Sequence, residues 1–339
     1  MTHASEPLHI DARGLMDLLR SATMPEGFSA LTGLPLVFVH LDDGVPTDVP
    51  DLLEPALLSA VCVFVGVASQ PLSPRAGRLA TRLDAVLEDP SSLETVAATV
   101  RRSPVASASL ALLLRQELYD RPLGGLVAES ALYSALQAGP EFARWLAPRS
   151  DHGGAEDDKR LTIRRVDDVL YITLARPARH NALDAKMRDY LHDALLLAMS
   201  EPSLRVVLDG SGPSFCSGGD LAEFGSSSDP ASAHVVRLTH SLARLLLLLG
   251  PRTESRVHGV CIGAGVELPA FTHRMVGAED SLFALPELGM GLIPGAGGTV
   301  SLPRRIGRQR TLLLALHGHP ISASIALRWG LLDAIEEQP

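Results

Sequence analysis

The apolar positions in the first half of the chain form two kinds of pattern, continuous runs and helical spacing. Continuous apolar runs at 34–41 and 60–68 predict two buried strands, each bounded by turn residues. Helical spacing predicts amphipathic helices at residues 12–21, 74–88, 91–102, 104–119 and 125–136. Pro104 suits the first turn of its helix, because the N–H that proline lacks would be unpaired there. We therefore expect a mainly helical region with a few strands.

After residue 159 the pattern changes to alternating strands and helices. Two strands, 161–166 and 169–174, flank a turn at Asp167 and Asp168 and predict a hairpin. Further strands are predicted at 205–209, 255–260 and 274–277. Helices are predicted at 181–199, 234–249, 265–272, 309–317 and 323–329. This alternation is typical of an α/β core.

Residues 148–158 separate the two patterns. This segment is rich in glycine and acidic residues and has no periodic apolar positions, which is typical of a linker. We therefore expect an N-terminal region at 1–149, a linker at 150–159 and a core domain at 160–339.

The composition narrows the classes of protein to consider. Of 339 residues, 46% are hydrophobic, which is enough for a large core and excludes a wholly disordered chain. A net charge of −9 argues against nucleic acid or an anionic membrane as the main partner. The longest apolar helix candidate, 242–249, is too short to span a bilayer, and we expect no signal peptide.

The three cysteines, Cys62, Cys216 and Cys261, lie in apolar or glycine-rich segments. An odd number of cysteines without metal-ligand spacing favours free thiols in a reducing compartment and predicts no metal site. We therefore expect a cytoplasmic protein.

Candidate chemistry is concentrated in one segment of the second half. Small residues at 261–265 lead into an apolar helix that carries Glu267, while Glu287 precedes the glycine-rich segment 291–299. Small residues let a backbone approach a ligand, and free N–H groups at a helix start can hold developing negative charge. Two glutamates beside such donors have the parts for proton transfer next to an oxyanion.

Each candidate also has a structural interpretation. Glu267 has apolar neighbours, and because an unpaired buried carboxylate is costly, a functional role is favoured over a solvated face. Glu287 could serve only as an anion at a helix start. Asp220 is expected to be a cap or a structural acid, and His180 and His258 are expected to have surface or core roles.

Four ordered blocks of residues resemble the crotonase (enoyl-CoA hydratase/isomerase) superfamily. These blocks are 176–183, 215–220, 258–268 and 286–299, within a segment from about 161 to 333. The resemblance implies a spiral of ββα turns that assembles as a homotrimer or hexamer. It also implies an acyl-CoA or acyl-carrier thioester as substrate, with CoA present only as part of that substrate and no separate cofactor.

The same resemblance implies roles for five residues. The N–H groups of Ser217 and Ala264 would form an oxyanion hole for the thioester oxygen. Glu267 would activate a water, Glu287 would deliver a proton to the α-carbon, and the Gly295 N–H would help to position the water. The implied reaction is the hydration of a 2-enoyl-CoA, because many isomerases of the family keep only the second glutamate.

The chain departs from the family pattern in three places. Ala264 stands where a glycine is common, and Ala222 stands where a lysine often contacts CoA. Only 334–339 follow the last matching block, whereas a long helical tail is usual in the family. Because 91–146 resembles such a tail, we hypothesise that the N-terminal region belongs to a permuted or degenerate duplicated crotonase and closes the acyl pocket.

Other functions stay open on the sequence alone. Cofactor-independent dioxygenases of the dihydroxyphenylacetyl-CoA type resemble this chain in having a long helical N-terminal extension. Double-bond isomerisation and thioester hydrolysis are further catalytic alternatives. A non-catalytic subunit that binds acyl-CoA is the alternative from another class, but the presence of both glutamates favours an enzyme.

Overall fold

The computed structural model describes residues 6–19, 27–31, 33–41, 45, 57–149, 159–226 and 229–336. In the N-terminal half, four strands form a parallel sheet in the order β1-β2-β3-β4. They are β1 (Leu8–Asp11), β2 (Leu36–His40), β3 (Val63–Val67) and β4 (Ala85–Leu87). Helix α1 (Ala12–Leu19) follows β1, and α2 (Pro74–Ala80) precedes β4.

The sheet confirms the two predicted strands and corrects one predicted helix. The helix predicted over 74–88 ends at Ala80, and Ala85–Leu87 pairs with β3 as an edge strand. Strand β1 was not predicted at all. Both missed strands are very short, and the ladder hydrogen bonds and burial that stabilise them come from a neighbour distant in sequence.

Residues 93–146 are mainly helical, which confirms the helices predicted in 91–136 and adds one at 140–146 that was not predicted. Four helices follow one another: α3 (Leu93–Arg102), α4 (Pro104–Arg115), α5 (Pro122–Gln137) and α6 (Pro140–Leu146). The last three each begin with a proline, whose fixed φ suits the first helical position.

The C-terminal half contains a six-stranded sheet in the order β13-β10-β8-β7-β6-β5. Its strands are β5 (Leu161–Val166), β6 (Val169–Leu174), β7 (Arg205–Gly210), β8 (Thr253–Val257), β10 (Arg274–Gly277) and β13 (Ala334–Ile335). The β5–β6 pair is antiparallel and the other neighbours are parallel. A smaller sheet contains β9 (Val260–Ile262), β11 (Leu282–Ala284) and β12 (Ile321–Ser322).

Helices alternate with these strands, which confirms the predicted α/β class. They are α7 (Ala185–Ser200), α8 (Pro230–Thr239), α9 (Leu242–Leu249), α10 (Ala264–Glu267), α11 (Gly298–His317) and α12 (Ala323–Trp329). Among the described helices, none combines the length and the apolar character that crossing a membrane requires.

Several helix boundaries differ from the prediction: α11 begins at Gly298 rather than at 309, with a break at Gly307, and α10 ends at Glu267 rather than at 272. Asn181 was expected to open a helix, but the helix begins after Asp184, whose Oδ1 accepts the Met187 N–H at 2.7 Å. Asn181 instead adopts φ +53° in the preceding turn. The single helix predicted over 234–249 is two helices, because Ser241 starts a new one with its side-chain cap.

The two halves repeat one local arrangement. Asp84 accepts the Phe64 N–H through Oδ2 at 2.7 Å and donates its own N–H to the Phe64 carbonyl at 2.9 Å. Asp333 makes the same two bonds to Met275, at the same distances. Each aspartate precedes a strand that pairs in parallel with the strand it caps, and each follows a seven-residue helix with a serine N-cap.

The halves share one hydrophobic core. Val65 and Leu110 of the N-terminal half belong to the same cluster of buried side chains as Leu170 and Leu246 of the C-terminal half. Polar contacts support it, since the Arg308 guanidinium on α11 donates to the Leu83 carbonyl at 2.9 Å. Residues 150–158 of the predicted linker lie outside the described residues, so the division into domains stays a prediction.

Candidate active site

Glu267 lies at the end of the short helix α10, which follows strand β9 through Gly263. Its side chain is buried, and its Oε2 accepts the N–H groups of Ala296 and Gly298, both at 2.8 Å. A Cβ at position 298 would lie 2.7 Å from the Glu267 carboxylate. Glycine is therefore required there for the two segments to approach.

Glu287 follows β11 and lies over the start of α10. A Cβ at position 263 would lie 2.5 Å from Glu287 Oε1, so a glycine at 263, with its φ of +53°, makes room for this carboxyl group. The Oε2 atom is buried and has no hydrogen-bond partner within the described parts of the chain. A buried carboxyl oxygen without a partner is available to a substrate or a water.

Burial and the charges of neighbouring carboxylates raise the pKa values of both glutamates. Burial raises the pKa of Glu267 well above its ordinary value, and the negative charges of Glu287 and Glu129 raise it further. Burial, with the charge of Glu129, raises the pKa of Glu287 to about 7. Because two adjacent carboxylates resist full ionisation, the pair retains a proton near neutral pH.

A third buried carboxylate, Glu129 of α5, comes from the N-terminal half. Its Oε1 accepts the Gly297 N–H at 2.7 Å, and its Oε2 accepts the N–H and the hydroxyl of Thr299 at 2.9 and 2.7 Å. Glu267 binds the alternate N–H groups of the same turn, those of Ala296 and Gly298. The turn is therefore held by two carboxylates, and burial raises the pKa of Glu129 to about 7.

Sequence reasoning missed this role of Glu129. The residue was noted only because its segment resembles a family tail, although it shares a helix face with Leu126 and Tyr133. A glutamate on the apolar face of a predicted helix was the available signal. The sequence could not indicate its partners, because Thr299, for example, lies 170 positions further along the chain.

The two expected oxyanion loops lie side by side. Cys216 and Cys261 form a bridge between them, and a Cβ at position 218 would lie 3.8 Å from the Ala264 nitrogen. The Ala264 N–H is the first of α10 and has no partner within its helix. The Ser217 N–H donates to the His180 carbonyl at 2.9 Å.

A cavity of about 630 Å³ opens beside these loops. Its lining includes Ser217, Gly263 and Glu287, with the arginines Arg149 and Arg179 also on its wall. Arg149 comes from the N-terminal half and stacks on Trp145, with its guanidinium carbon 3.6 Å from the ring centre. The cavity joins one of the predicted glutamates to part of the predicted oxyanion hole.

Glu267, Ala264 and Gly295 do not line this cavity. Glu267 lies behind it on the Ala296–Gly298 turn, and Gly295 lies on a smaller neighbouring cavity. A Cβ at position 295 would lie 2.5 Å from the Tyr133 ring, so the absence of a side chain lets this aromatic ring approach the turn.

Three polar residues near the site have the structural roles that were expected. Asp220 caps the turn after the first oxyanion loop and pairs with buried Arg176 at 2.8 Å. His180 bonds through Nδ1 to the Ser214 hydroxyl at 2.9 Å. His258 bonds through Nε2 to the Gly212 carbonyl at 2.9 Å. These contacts fix the loops that frame the cavity.

The three cysteines are free thiols within the described structure, and all are buried. Burial raises the pKa of Cys216 to about 11, so this thiol stays protonated and unreactive at neutral pH. The cysteines therefore serve as small core residues, as their apolar surroundings suggested.

Comparison with known proteins identifies the family. The family model described as enoyl-CoA hydratase/isomerase matches residues 164–338. The 2,3-dehydroadipyl-CoA hydratase of Escherichia coli is 34% identical over 176 residues, which cover 52% of this chain and 68% of the relative. The 1,2-epoxyphenylacetyl-CoA isomerase of the same organism is 34% identical, with coverages of 48% and 64%.

Solved structures show a similar extent of match. The crystal structure of enoyl-CoA hydratase from Thermoplasma volcanium shares 31% identity, with a TM-score of 0.49, over 53% of this chain and 72% of that one. The residues matched by the family model form the C-terminal half, which contains the glutamates and both expected oxyanion loops. Because the family model matches more than half of the chain, the chain belongs to the enoyl-CoA hydratase/isomerase family.

Proposed function

We propose that this chain hydrates a 2-enoyl-CoA, or an enoyl group carried as another thioester. The observation that supports this most is the pair of buried, mutually repelling glutamates, Glu267 and Glu287, beside the Ala264 N–H. Hydration needs one carboxylate to take a proton from water and one carboxylic acid to give a proton to carbon. A pair that holds one proton supplies both.

In the proposed mechanism the ionised carboxyl is Glu267. Burial and the charges of Glu287 and Glu129 raise the pKa of Glu267, but two N–H groups donate to its Oε2 and favour its charged form, whereas Glu287 Oε2 accepts no hydrogen bond from the described residues. Water adds to the β-carbon as its proton passes to Glu267, and the α-carbon takes the proton of Glu287. After the reaction the pair again holds one proton, which is now on Glu267. This proton must return to Glu287 before the next turnover.

Backbone donors would stabilise the enolate oxygen in this mechanism. The Ala264 N–H is available, and the Ser217 N–H must share or exchange its bond to the His180 carbonyl. A preorganised donor of this kind is typically worth a factor of about 10²–10³ in rate. The proposed role of Gly295 is to help to hold the attacking water next to Ala296, whose N–H binds Glu267.

Hydration is tested with crotonyl-CoA, by the loss of absorbance of the conjugated thioester. The pH profile of kcat/KM provides the first prediction. Because the active form has Glu267 ionised and Glu287 protonated, the rate should fall as pH rises through about 7, the raised pKa of Glu287, when the general acid loses its proton. It should also fall toward acid pH as Glu267 takes up a proton, and because the pKa of Glu267 is raised well above its ordinary value, this acid limb should lie well above 4.5. An acid limb near 4.5 would contradict the proposed pair.

The second prediction concerns Glu129. In Glu129→Gln one side-chain acceptor becomes a donor, so the turn that holds Glu267 should loosen and kcat should fall by about 10–100-fold. The acid limb should also move to lower pH, because the charge of Glu129 raises the pKa values of Glu267 and Glu287. Steady-state kinetics from pH 5 to about 9 would measure both effects.

Glu141→Gln is a matched control for this experiment. Glu141 is also buried, lies in the same half and accepts two backbone N–H groups, those of Val105 and Ala106 at 2.9 and 3.0 Å. Its loss should lower stability without moving the acid limb. If Glu129→Gln leaves both kcat and the limb where they were, Glu129 has no part in positioning the pair.

Double-bond isomerisation is the second candidate, and one observation favours it. Glu287 lines the larger cavity while Glu267 does not, and a single carboxylate suffices to move a proton along an acyl chain. One relative is named as an isomerase and another as a hydratase, so the names of the relatives do not decide. An isomerase would survive Glu267→Gln, whereas a hydratase would not.

We also propose that the N-terminal half is a degenerate copy of the family core whose helical tail, α3 to α6, now covers the complete core. The equivalent aspartates Asp84 and Asp333, each in the same backbone geometry, support the duplication. The contacts of Glu129 and Arg149 with the site support the covering role. A homotrimer or hexamer and a cytoplasmic location are further parts of the proposal, which light scattering and cell fractionation would test.

A further inference from the structure

The smaller cavity beside the site has a mixed lining that the proposed reaction alone does not explain. It has a volume of about 170 Å³ and lies on Gly295, Ala296 and Gly297, the turn whose N–H groups bind Glu267 and Glu129. Leucines from five separate segments form its apolar wall: Leu126, Leu183, Leu238, Leu242 and Leu268. The cavity therefore adjoins the turn that binds Glu267, and its leucines suit the methylene groups of an acyl chain.

An arginine completes this cavity. Arg237 of α8 donates to the Ser130 hydroxyl and to the Gln137 side-chain oxygen, both at 3.2 Å, and also to the Ser134 hydroxyl. Its guanidinium lies over the Tyr133 ring, 4.8 Å from the centre. All these partners are neutral, and no carboxylate forms an ion pair with Arg237 in the described part of the structure.

A half-buried cation without an anionic partner is unusual in this protein. The other arginines of comparable burial have carboxylate partners, in the pairs Arg115–Asp84, Arg160–Asp184, Arg176–Asp220 and Arg305–Asp333. Arg252 lacks one but donates to three carbonyls, one in the last turn of α7, where the helix dipole is negative, and two in the segment that follows it. Arg237 has no such compensation.

The alternative is that Arg237 only ties α8 to α5. The acceptors of Arg237 on α5 are hydroxyl, amide and carbonyl groups, which an uncharged side chain could also bind. Burying a charged guanidinium for this purpose alone would cost desolvation free energy without need. Burial lowers the pKa of Arg237, and the carboxylate charge that acts in the opposite direction is that of Glu129. Glu129 is already committed to Gly297 and Thr299. A ligand anion would therefore complete the electrostatics of the cavity.

We propose that the acyl group of the substrate ends in a carboxylate, which Arg237 binds while the leucines of the cavity hold the methylene chain. This inference rests on the proposed function for the thioester site. A guanidinium can bind a carboxylate through two parallel hydrogen bonds, and exclusion of water strengthens such a pair. The preferred substrate is then the CoA thioester of an unsaturated dicarboxylic acid rather than of a plain fatty acid.

The test compares two six-carbon 2-enoyl-CoA substrates, one that ends in a carboxylate and one that ends in a methyl group. The full-length protein should show a kcat/KM at least 10-fold higher for the carboxylate. In Arg237→Met this ratio should fall by about 30–100-fold. In Arg188→Met, which removes an arginine of the same cavity that already pairs with Asp189, the ratio should be retained.

Binding of the two saturated analogues, measured by calorimetry, separates this inference from the proposed reaction. Tighter binding of the carboxylate-ended analogue, lost in Arg237→Met, supports the inference even if neither enoyl substrate is hydrated, a result that would refute only the reaction. Equal binding of the two analogues would overturn the inference. The inference would also be overturned if the kcat/KM ratio fell equally in Arg237→Met and Arg188→Met. The general positive charge of the cavity would then explain the preference for the carboxylate.

Discussion

Replacing either Glu267 or Glu287 by glutamine should lower kcat for crotonyl-CoA hydration by about 10²–10⁴-fold, with a much smaller change in KM. Each variant removes one end of the proton transfer while the cavity and the backbone donors stay in place. The double variant should be little worse than the single ones, because the pair acts as a unit. Stopped-flow and steady-state assays at several pH values would measure the losses.

Thermal unfolding shows whether such a loss is chemical. Glu287 has a pKa raised to about 7 in the folded protein, so its contribution to stability is full below its ordinary pKa and is lost as pH rises through 7. Glu287→Gln should therefore have a higher Tm than the parent at pH 8 and a similar Tm near pH 4.5. A variant that loses activity while it gains Tm has lost chemistry and not its fold.

A matched control is Glu254→Gln, which changes a carboxylate that pairs with Arg256 at 2.8 Å on β8 of the main sheet, outside both cavities. It should hydrate crotonyl-CoA at the parental rate. If Glu267→Gln and Glu287→Gln do so as well, the roles assigned to the pair are wrong. Loss of hydration in Glu287→Gln alone would show that Glu267 is not the base that activates the water.

Removing residues 1–157 should give a protein that is insoluble or inactive. The deletion takes away Glu129, which holds the turn beside Glu267, and the side of the core to which Val65 and Leu110 contribute. The deletion also exposes Val300. Gly125 of α5 packs closely against this side chain, because a Cβ at position 125 would lie only 2.7 Å from it. Large apolar surfaces exposed in this way favour aggregation.

Cleavage of the full-length protein between 150 and 158 is the control for this deletion. Both halves are then present, and the shared core and the bonds from Arg308 and Glu129 should keep them together, so hydration should persist. Solubility, light scattering and the crotonyl-CoA assay would follow both proteins. A well-folded and active protein that begins at residue 158 would refute the covering role of the N-terminal half.

The sequence by itself determined the parts of the protein whose causes are local. Apolar residues that recur with a period of 3.6 or 2 predicted most of the helices and strands. The reason is that the buried face of a helix or strand is formed by residues close together in the sequence. The ordered blocks around Asp220, Glu267 and Glu287 identified the family, since backbone approach and proton transfer need those residue types at that spacing. The family match covers only the C-terminal half, and local signals were strongest there.

Only the tertiary structure decided what depends on contacts between distant segments. Strand β4 forms because β3 offers an edge, and Glu129 becomes part of the site because the fold brings α5 to the turn at Gly297. The pKa values near 7 likewise arise from burial and from charges on other elements. Desolvation and Coulomb repulsion depend on distances in space, and spacing along the chain does not specify these.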